Sequence, residues 1–220
     1  LGHQERMEFE ASDYAKKRKI GGVLQGQMDV PKDILNRIKT RRIISEAIFN
    51  HIAKYRIDGK SLLDSDTTNF VIESNMVKTL PAEYSFLSAK DRADLMGGQA
   101  FYAGDALQAL IDIWPFRIFE GSELMLNTQI GHGVSKSPFE EKVNQNLDDF
   151  SQELLRKIGL RKITKVHEEV WGRIASRLFA LRCLDQNNLE SDDFNQAKII
   201  LNLEISQLAL EFLSKKVAQS

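Results

Sequence analysis

The chain has 220 residues, of which 42% are hydrophobic and 28% charged, with a formal net charge of −1. This length accommodates one large domain or two small ones, and the even charge balance gives no reason to expect a nucleic-acid partner. The lone Cys183 excludes an internal disulfide framework and fits a reducing compartment. No apolar run reaches the roughly 18 residues of a membrane span. The chain opens at Leu1 in a polar, helix-compatible stretch without a signal peptide, so we expect a piece of a longer chain.

Amphipathic helical spacing accounts for the first hundred residues. Gln4–Lys19 carries apolar side chains three and four residues apart and ends in a basic turn before two glycines, which is typical of a helix terminus. A second apolar stripe runs over residues 31–56, and a third helix is predicted over Asp66–Met96, kinked at Pro81. Because no convincing period of two appears anywhere, the fold class is predicted to be all-α.

Two shorter helices complete this part of the chain, one over Gly104–Ile113 and one beyond Gly121. Together with the preceding helices they predict an antiparallel up-and-down four-helix bundle over residues 1–133. His51 lies in the second helix without an accompanying carboxylate–histidine set. We therefore interpret it as a packing or surface histidine and predict no metal site.

The helical pattern breaks at residues 131–138, GHGVSKSP, and an additional domain of three helices is predicted over residues 134–220. Its first helix has a strong start signal, with Ser137 as the cap, Pro138 in the first turn and Glu140 behind it. The last helix spans about Asp193–Val217 and is apolar on two faces. We expect such a helix to be central or to lie at an interface.

The segment Trp114–Gly131 holds the strongest candidate for chemistry. Glu120 follows an apolar pair and precedes Gly121–Ser122, where a new helical pattern begins. A carboxylate held among apolar residues is partly desolvated, which raises its pKa and makes it a usable base near neutral pH. The competing interpretation is a glutamate at a helix N-terminus, where the helix dipole favours a negative charge.

Three motifs resemble those of the C-terminal helical domain of acyl-CoA dehydrogenases. YAKKRKIGG, ADLMGGQAF and RIFEGS occur in the family's order and at its separations, where members carry Y-A-x-x-R-x-x-F-G, A-Q-I-x-G-G-x-G-[YF] and R-I-Y-E-G-T. Lys78 falls where many members have a lysine in the helix before the double glycine. The resemblance covers residues 1–133, and the three predicted C-terminal helices are similar in architecture to the extra helical domain of the very-long-chain members.

The resemblance implies dehydrogenation of fatty acyl-CoA thioesters with FAD as cofactor. Glu120 stands at the position of the carboxylate that removes the α-proton while the β-hydrogen leaves as hydride to the flavin. The α-proton is only weakly acidic, so the thioester oxygen needs hydrogen-bond donors to stabilise the developing charge. In the family these donors are the backbone N–H of the base residue and a flavin ribityl hydroxyl.

The resemblance also implies a set of cofactor contacts. Arg18 matches an arginine that contacts the flavin pyrophosphate, and Gly97 and Gly98 let the backbone approach the adenosine-diphosphate half of the cofactor. Gly121 lets the chain pass close to the ligand, and Ser122 replaces a threonine that contacts FAD.

Several substitutions depart from the family pattern. Gly21 stands where a phenylalanine packs near the flavin, Asp94 replaces a glutamine, and Ile111 stands where an arginine is common. Asp94 and Asp29 would add negative charge beside a diphosphate. We therefore expect the base to be retained and the cofactor cradle to be weakened. FAD is expected in the complete protein and not in this piece alone.

Two other interpretations stay open. A non-catalytic relative would keep the bundle as a dimerisation module, and an unrelated helical adaptor would match the motifs by chance. For the enzyme, the resemblance implies an acyl-CoA substrate, a homo-oligomer of two or more copies and an electron-transfer flavoprotein or similar acceptor. It also implies a place in the bacterial cytoplasm or the mitochondrial matrix.

The segment Arg156–Lys165, RKIGLRKITK, contains five basic side chains and no acidic one. The plain interpretation is a solvated turn between two helices. The functional one is a peripheral membrane contact through anionic lipid, to which each basic residue contributes on the order of 1 kcal/mol.

Overall fold

A computed structural model describes residues 1–57, 67–102, 104–119, 121–134, 168–186 and 191–217 of the chain. In chain order the elements are α1 (Gly2–Lys17), β1 (Lys19–Ile20), β2 (Val23–Leu24), α2 (Asp29–Ile57), α3 (Thr67–Met96), α4 (Gln99–Tyr102), α5 (Asp105–Ile118), α6 (Glu123–Val134), α7 (Glu168–Gln186) and α8 (Asp192–Val217), with a 3-10 turn at Gln25–Gln27. The prediction of an all-α fold is confirmed.

The described residues contain one small sheet, which the sequence did not predict. Strands β1 and β2 are two residues each and pair antiparallel, with Lys19 opposite Leu24 and Ile20 opposite Val23. Gly21 and Gly22 form the turn with φ of 57° and 85°. Two consecutive left-handed residues favour glycine in a tight hairpin turn. Gly21 is therefore explained by the hairpin, in which a phenylalanine at this position would be strained.

Packing divides the chain into two compact units. The first comprises residues 1–46 and 81–119, and the second comprises residues 47–80 and 120–220. Helices α2 and α3 therefore contribute one end to each unit. The domain boundary predicted between residues 133 and 134 falls at the edge of a described range and stays a prediction.

In the first unit, four helical segments share one core. Its buried members come from α1, α2, α3 and α5 and are Met7, Ala11, Ala15, Ile38, Ala89, Leu95 and Ala109. The four-residue spacing from Met7 to Ala15 places these side chains on one face of α1. Alanine at most of these positions lets the helices approach closely, as expected of a four-helix arrangement.

A buried carboxylate also ties α2 to α3 within the first unit. Asp91 accepts hydrogen bonds from Arg37 Nε and Nη2, both at 3.2 Å, and from Arg41 Nη1 at 2.6 Å. Burial alone would raise the pKa of Asp91, but the hydrogen bonds from Arg37 and the charge of Arg41 lower it below its usual value. The carboxylate is thus held in its charged form.

Asp91→Asn is expected to lower the free energy of unfolding by about 2 kcal/mol, because Arg41 keeps only 11% of its side-chain surface exposed and would lose its counter-ion. The wild-type contribution is fully present above the unfolded pKa of about 3.9 and is lost as the pH falls through the lower folded value. Urea unfolding at neutral and acidic pH measures both effects. Asp94→Asn is the matched control, since Asp94 pairs with Lys90 at the surface; an equal loss in the two variants would contradict the prediction.

In the second unit, α6 packs along α7, and α7 packs against α8. Helix α7 is buried along most of its length, and its large buried side chains include Val170, Trp171, Ile174, Leu178, Phe179 and Leu181. His51 of α2 donates a hydrogen bond from its Nδ1 to Gln186 Oε1 at 2.7 Å, and its ring meets Phe179 edge-on at 5.4 Å. The packing role predicted for His51 is confirmed.

The end predicted at Ile113 for the shorter helix that begins near Gly104 is wrong. Helix α5 continues through Pro115 to Ile118, and its last turn is closed by the Phe119 N–H donating to the Pro115 carbonyl at 2.7 Å. Proline removes one helical hydrogen bond. Here the neighbouring side chains are largely exposed, so water can replace the missing bond.

Candidate functional site

Arg18 and the Gly97–Gly98 turn lie at the same end of the first unit. Helix α1 ends at Lys17, and Tyr14 in its last turn donates a hydrogen bond from its hydroxyl to Gln99 Oε1 at 2.9 Å. Gln99 follows the glycine pair directly. The tyrosine of the first motif therefore links the end of α1 to the turn that holds the second motif.

Gln25 makes a second link at this end, which the sequence did not indicate. Its side-chain Nε2 donates to the Leu95 carbonyl at 2.8 Å, and its backbone N–H donates to the Arg18 carbonyl at 2.8 Å. The side chain is buried. Gln25 therefore fixes the backbone of Arg18 relative to the C-terminal end of α3.

This end of the unit is open to a ligand. Arg18 is exposed, and no acidic side chain lies within 4.0 Å of its guanidinium among the residues that the structure describes. A Cβ on Gly97 or Gly98 would meet no atom within 4 Å. A diphosphate needs these two things, a guanidinium and backbone that can be approached closely. Gly97 also has a structural role, because its φ of 57° is typical of the glycine that ends a helix.

The two carboxylates that were expected to repel a cofactor diphosphate, those of Asp94 and Asp29, each pair with a nearby lysine. Asp94 lies 2.7 Å from Lys90 one turn earlier in α3, and Asp29 lies 3.9 Å from Lys32 in the first turn of α2. Both carboxylates are exposed, so their charge is also screened by solvent. The repulsion expected from Asp94 and Asp29 is therefore weaker than the sequence suggests.

The remaining motif, RIFEGS, crosses the boundary between the two units in the sequence, and its Gly121 and Ser122 belong to the second unit. Glu120 itself lies outside the described residues. Ser122 caps helix α6, since its Oγ accepts a hydrogen bond from the Met125 N–H at 3.4 Å. Gly121 has a φ of 117°, which favours glycine. The predicted junction between a loop and a helix is therefore present, and Ser122 has a structural role there.

Lys78 reaches this junction from α3. Its Nζ donates a hydrogen bond to the Gly121 carbonyl at 2.8 Å. The family pattern singled out Lys78, but nothing in the sequence predicted what it contacts. The bond holds the backbone immediately after Glu120 in place.

The chain does not bury the apolar residues that flank Glu120. Large apolar side chains are more than half exposed on both sides of it, namely Phe116, Ile118 and Phe119 before it and Leu124 and Met125 after it. Within the first unit, the Arg117 guanidinium lies 4.5 Å from the centre of the Phe86 ring and 5.6 Å from that of Trp114. The apolar side chains near Glu120 in the sequence are therefore not buried in the part of the chain that the structure describes.

The predicted site residues thus fall into two groups. Arg18, Gly97 and Gly98 belong to the first unit and lie at one end of it, while Gly121 and Ser122 belong to the second unit.

Nowhere in the described ranges do three or more potential metal ligands cluster. No described helix is long and apolar enough to cross a membrane. The basic segment Arg156–Lys165 lies outside the described residues.

Two solved structures share this fold. The acyl-CoA dehydrogenase ACDH-11 of Caenorhabditis elegans, in complex with C11-CoA, matches with a TM-score of 0.68 at 18% identity over 93% of this chain. Bd2924 in its apo form matches with a TM-score of 0.66 at 16% identity over 86% of this chain. This chain spans 40% and 39% of their respective lengths. No protein-family profile and no curated protein matches the sequence.

The chain therefore defines an all-α protein with an acyl-CoA dehydrogenase-like fold. At these identities the likeness concerns the fold.

Proposed function

We propose that this chain is part of an FAD-dependent acyl-CoA dehydrogenase that acts on fatty acyl-CoA thioesters, with Glu120 as the α-proton base. The observation that carries the proposal is the likeness over 93% of the chain to a structure in complex with C11-CoA. The ordered motifs around Arg18, Gly97–Gly98 and Glu120 support it independently.

The open end of the first unit supports a pyrophosphate contact. Arg18 would bind the negative charge, and Gly97 and Gly98 would admit the phosphates to the backbone. Bound FAD supplies the acceptor for the β-hydrogen. The Tyr14 and Gln25 hydrogen bonds favour this role, because they hold the arginine backbone and the glycine turn in fixed positions.

The chemistry assigned to the chain itself is proton removal and charge stabilisation. Glu120 would take the α-proton on its carboxylate, and its backbone N–H would donate to the thioester oxygen, where negative charge develops. Lys78 would act as a positioning residue, since it holds the adjacent Gly121 carbonyl at 2.8 Å. The Ser122 cap fixes the start of α6 on the other side.

The exposed apolar residues around Glu120 support further partners. In the first unit, the exposed side chains of Phe116, Ile118 and Phe119 indicate a surface that is covered in the working protein. Within the proposal, the remainder of the complete enzyme and a second copy of the bundle cover it, and an electron-transfer flavoprotein or similar acceptor reoxidises the cofactor. A location in the bacterial cytoplasm or mitochondrial matrix, with or without peripheral membrane contact, belongs to the same proposal.

A non-catalytic homologue that uses the bundle for dimerisation is the second candidate. A specific observation favours it. Gly21, Gly97 and Ser122 each have a role in the chain's own folding, as hairpin turn, helix end and helix cap. These residues would therefore persist in a relative that no longer binds flavin.

Flavin content of the complete protein separates the two candidates. We expect the complete protein to be yellow and its flavin absorbance to be bleached anaerobically by a fatty acyl-CoA, whereas the 220-residue chain alone should take up no FAD at micromolar concentration. The isolated chain lacks the contacts that the rest of the enzyme would supply. A colourless complete protein that FAD cannot reconstitute would favour the dimerisation module.

A further inference from the structure

Helix α3 ends beside the glycine turn, and its last carbonyl groups need hydrogen-bond donors. The final four carbonyls of an α-helix have no partner within the helix and carry the negative end of the helix dipole. The Gly97 N–H donates to two of them, those of Ala93 at 3.0 Å and Asp94 at 3.2 Å. The last turn contains no basic side chain that could offset the negative end. The remaining carbonyls, those of Leu95 and Met96, therefore depend on donors from other elements.

Gln25 supplies the donor for the first of these two carbonyls. Its side chain is buried, and its Nε2 donates to the Leu95 carbonyl at 2.8 Å. The Met96 carbonyl lies 3.4 Å from the Tyr14 hydroxyl, whose single hydrogen is also within reach of Gln99 Oε1 at 2.9 Å. The Leu95 carbonyl is thus capped by a dedicated side chain, whereas that of Met96 shares its donor.

Core packing alone does not account for a glutamine at position 25. The Oε1 atom of Gln25 is buried and has no hydrogen-bond partner among the residues that the structure describes. A buried acceptor without a donor lowers stability, which offsets what the amide gains from its bond to Leu95. An apolar side chain of similar length, such as methionine, would fill the space without this cost. The amide is therefore better explained by its effect on the Leu95 carbonyl than by stability.

The cap matters because an anion is proposed to bind at this end of the first unit. Without a donor, the Leu95 carbonyl would leave a free acceptor at the negative end of α3, close to the Gly97–Gly98 backbone that phosphates have to approach. Carbonyl and phosphate oxygens both carry negative charge and repel each other. Gln25 also donates its backbone N–H to the Arg18 carbonyl at 2.8 Å. One residue thus occupies the unfavourable acceptor and fixes the backbone of the arginine.

We infer that Gln25 is a positioning residue for anion binding. Its amide caps the Leu95 carbonyl and so allows Arg18 and the Gly97–Gly98 turn to accept a diphosphate. The choice of ligand, the pyrophosphate of FAD, rests on the proposed function. Gln25 lies outside the three sequence motifs and acts through its neighbours, without touching the ligand itself.

Titration of the flavin-free complete protein with FAD tests this role, with binding followed by flavin fluorescence. Gln25→Met should weaken FAD affinity about tenfold, since one capping hydrogen bond is lost. The urea midpoint of the flavin-free protein should change little, because the unpartnered oxygen is lost with the bond. Gln27→Met is the matched control, since Gln27 is exposed in the same 3-10 turn, and it should change neither quantity. Equal FAD affinities in the two variants would overturn the inference.

Gln25→Glu gives a readout that a merely structural role would not produce. Glutamate has nearly the shape of glutamine, but its carboxylate cannot donate to the Leu95 carbonyl, whereas its protonated form can. Burial raises the pKa of such a carboxyl group. FAD affinity should therefore be lowest above that pKa and recover towards the wild-type value as the pH falls through it. Charges at the end of α1 and at Asp94 shift this pKa without reversing the effect. An affinity that followed the wild-type pH profile in parallel would contradict the inference.

Inorganic pyrophosphate separates this inference from the proposed function. Suppose that the complete protein binds no FAD, while pyrophosphate raises its unfolding temperature, less so in Gln25→Met than in Gln27→Met. The inference then stands, and FAD as the cofactor falls. If FAD binds equally well to the wild type and to Gln25→Met, the inference falls while the proposed function stands. A wild type that binds neither FAD nor pyrophosphate would overturn both.

Discussion

Gly172→Ala is expected to lower the free energy of unfolding by about 3 kcal/mol, since overpacking a close contact costs roughly 1–3 kcal/mol and more where the neighbour is backbone. A Cβ on Gly172 of α7 would overlap the carbonyl oxygen of Asn127 in α6. Reciprocally, a Cβ on Gly131 would overlap the carbonyl oxygen of Glu168. Neither oxygen can move without moving its helix, so the methyl group can be accommodated only if α6 and α7 separate.

Urea unfolding of a graded series of glycine variants measures this effect. Gly133→Ala should cost less, because its Cβ would meet the end of the Ile72 side chain at 2.5 Å, and that side chain can rotate away. Gly98→Ala is the matched control, since nothing lies within 4 Å of the added carbon, and it should not destabilise the chain. If Gly172→Ala unfolded at the same urea concentration as Gly98→Ala, the two helices would not be in backbone contact.

Glu120→Gln in the complete protein is expected to slow flavin reduction by fatty acyl-CoA on the order of 10³-fold, within the range for loss of a general base. The amide has nearly the shape of the carboxylate but cannot take up the α-proton. Folding and flavin content should therefore be unchanged. Rapid-mixing measurement of flavin bleaching reports the step directly.

Glu123→Gln is the control for this experiment. Glu123 is the first residue of α6, three positions after the proposed base, and its substitution should leave the rate of bleaching within a few-fold of wild type. A wild-type rate in Glu120→Gln would show that the base is another carboxylate of the complete enzyme. The fold likeness would then stand while the assignment of Glu120 fell.

Apolar spacing predicted most of the helices because each of them buries one face, and the positions on that face recur every three or four residues. The stripe of Ala197, Leu201, Ile205, Leu208 and Phe212 was readable in the sequence and is buried in α8. The end of α5 was predicted at Ile113, whereas the helix continues through Pro115 to Ile118. Proline forbids only one hydrogen bond, and an exposed helix tolerates that loss.

Other features could not be predicted because they depend on tertiary contacts. Strands of two residues are too short to show a period, so the hairpin became visible only through the conformations of Gly21 and Gly22. The sequence also suggested that Ile118 and Phe119 shield Glu120, although both are exposed. An apolar residue indicates a preference for burial, but what covers it lies elsewhere in space.

The glycine contact between α6 and α7 also determines how precisely the start of α6 is located. Two helices separated by side chains can slide or rotate slightly as those side chains change rotamer. Helices in backbone contact have no such freedom, so the close contacts at Gly131 and Gly172 fix the position of α6 relative to α7. The Ser122 cap and the Gly121 carbonyl at the front of α6 thus take their position from α7, more than 40 residues later in the chain. Substitutions in α7 that change this contact would therefore displace the start of α6, which directly follows the RIFEGS motif, even though α7 contributes no residue to that motif.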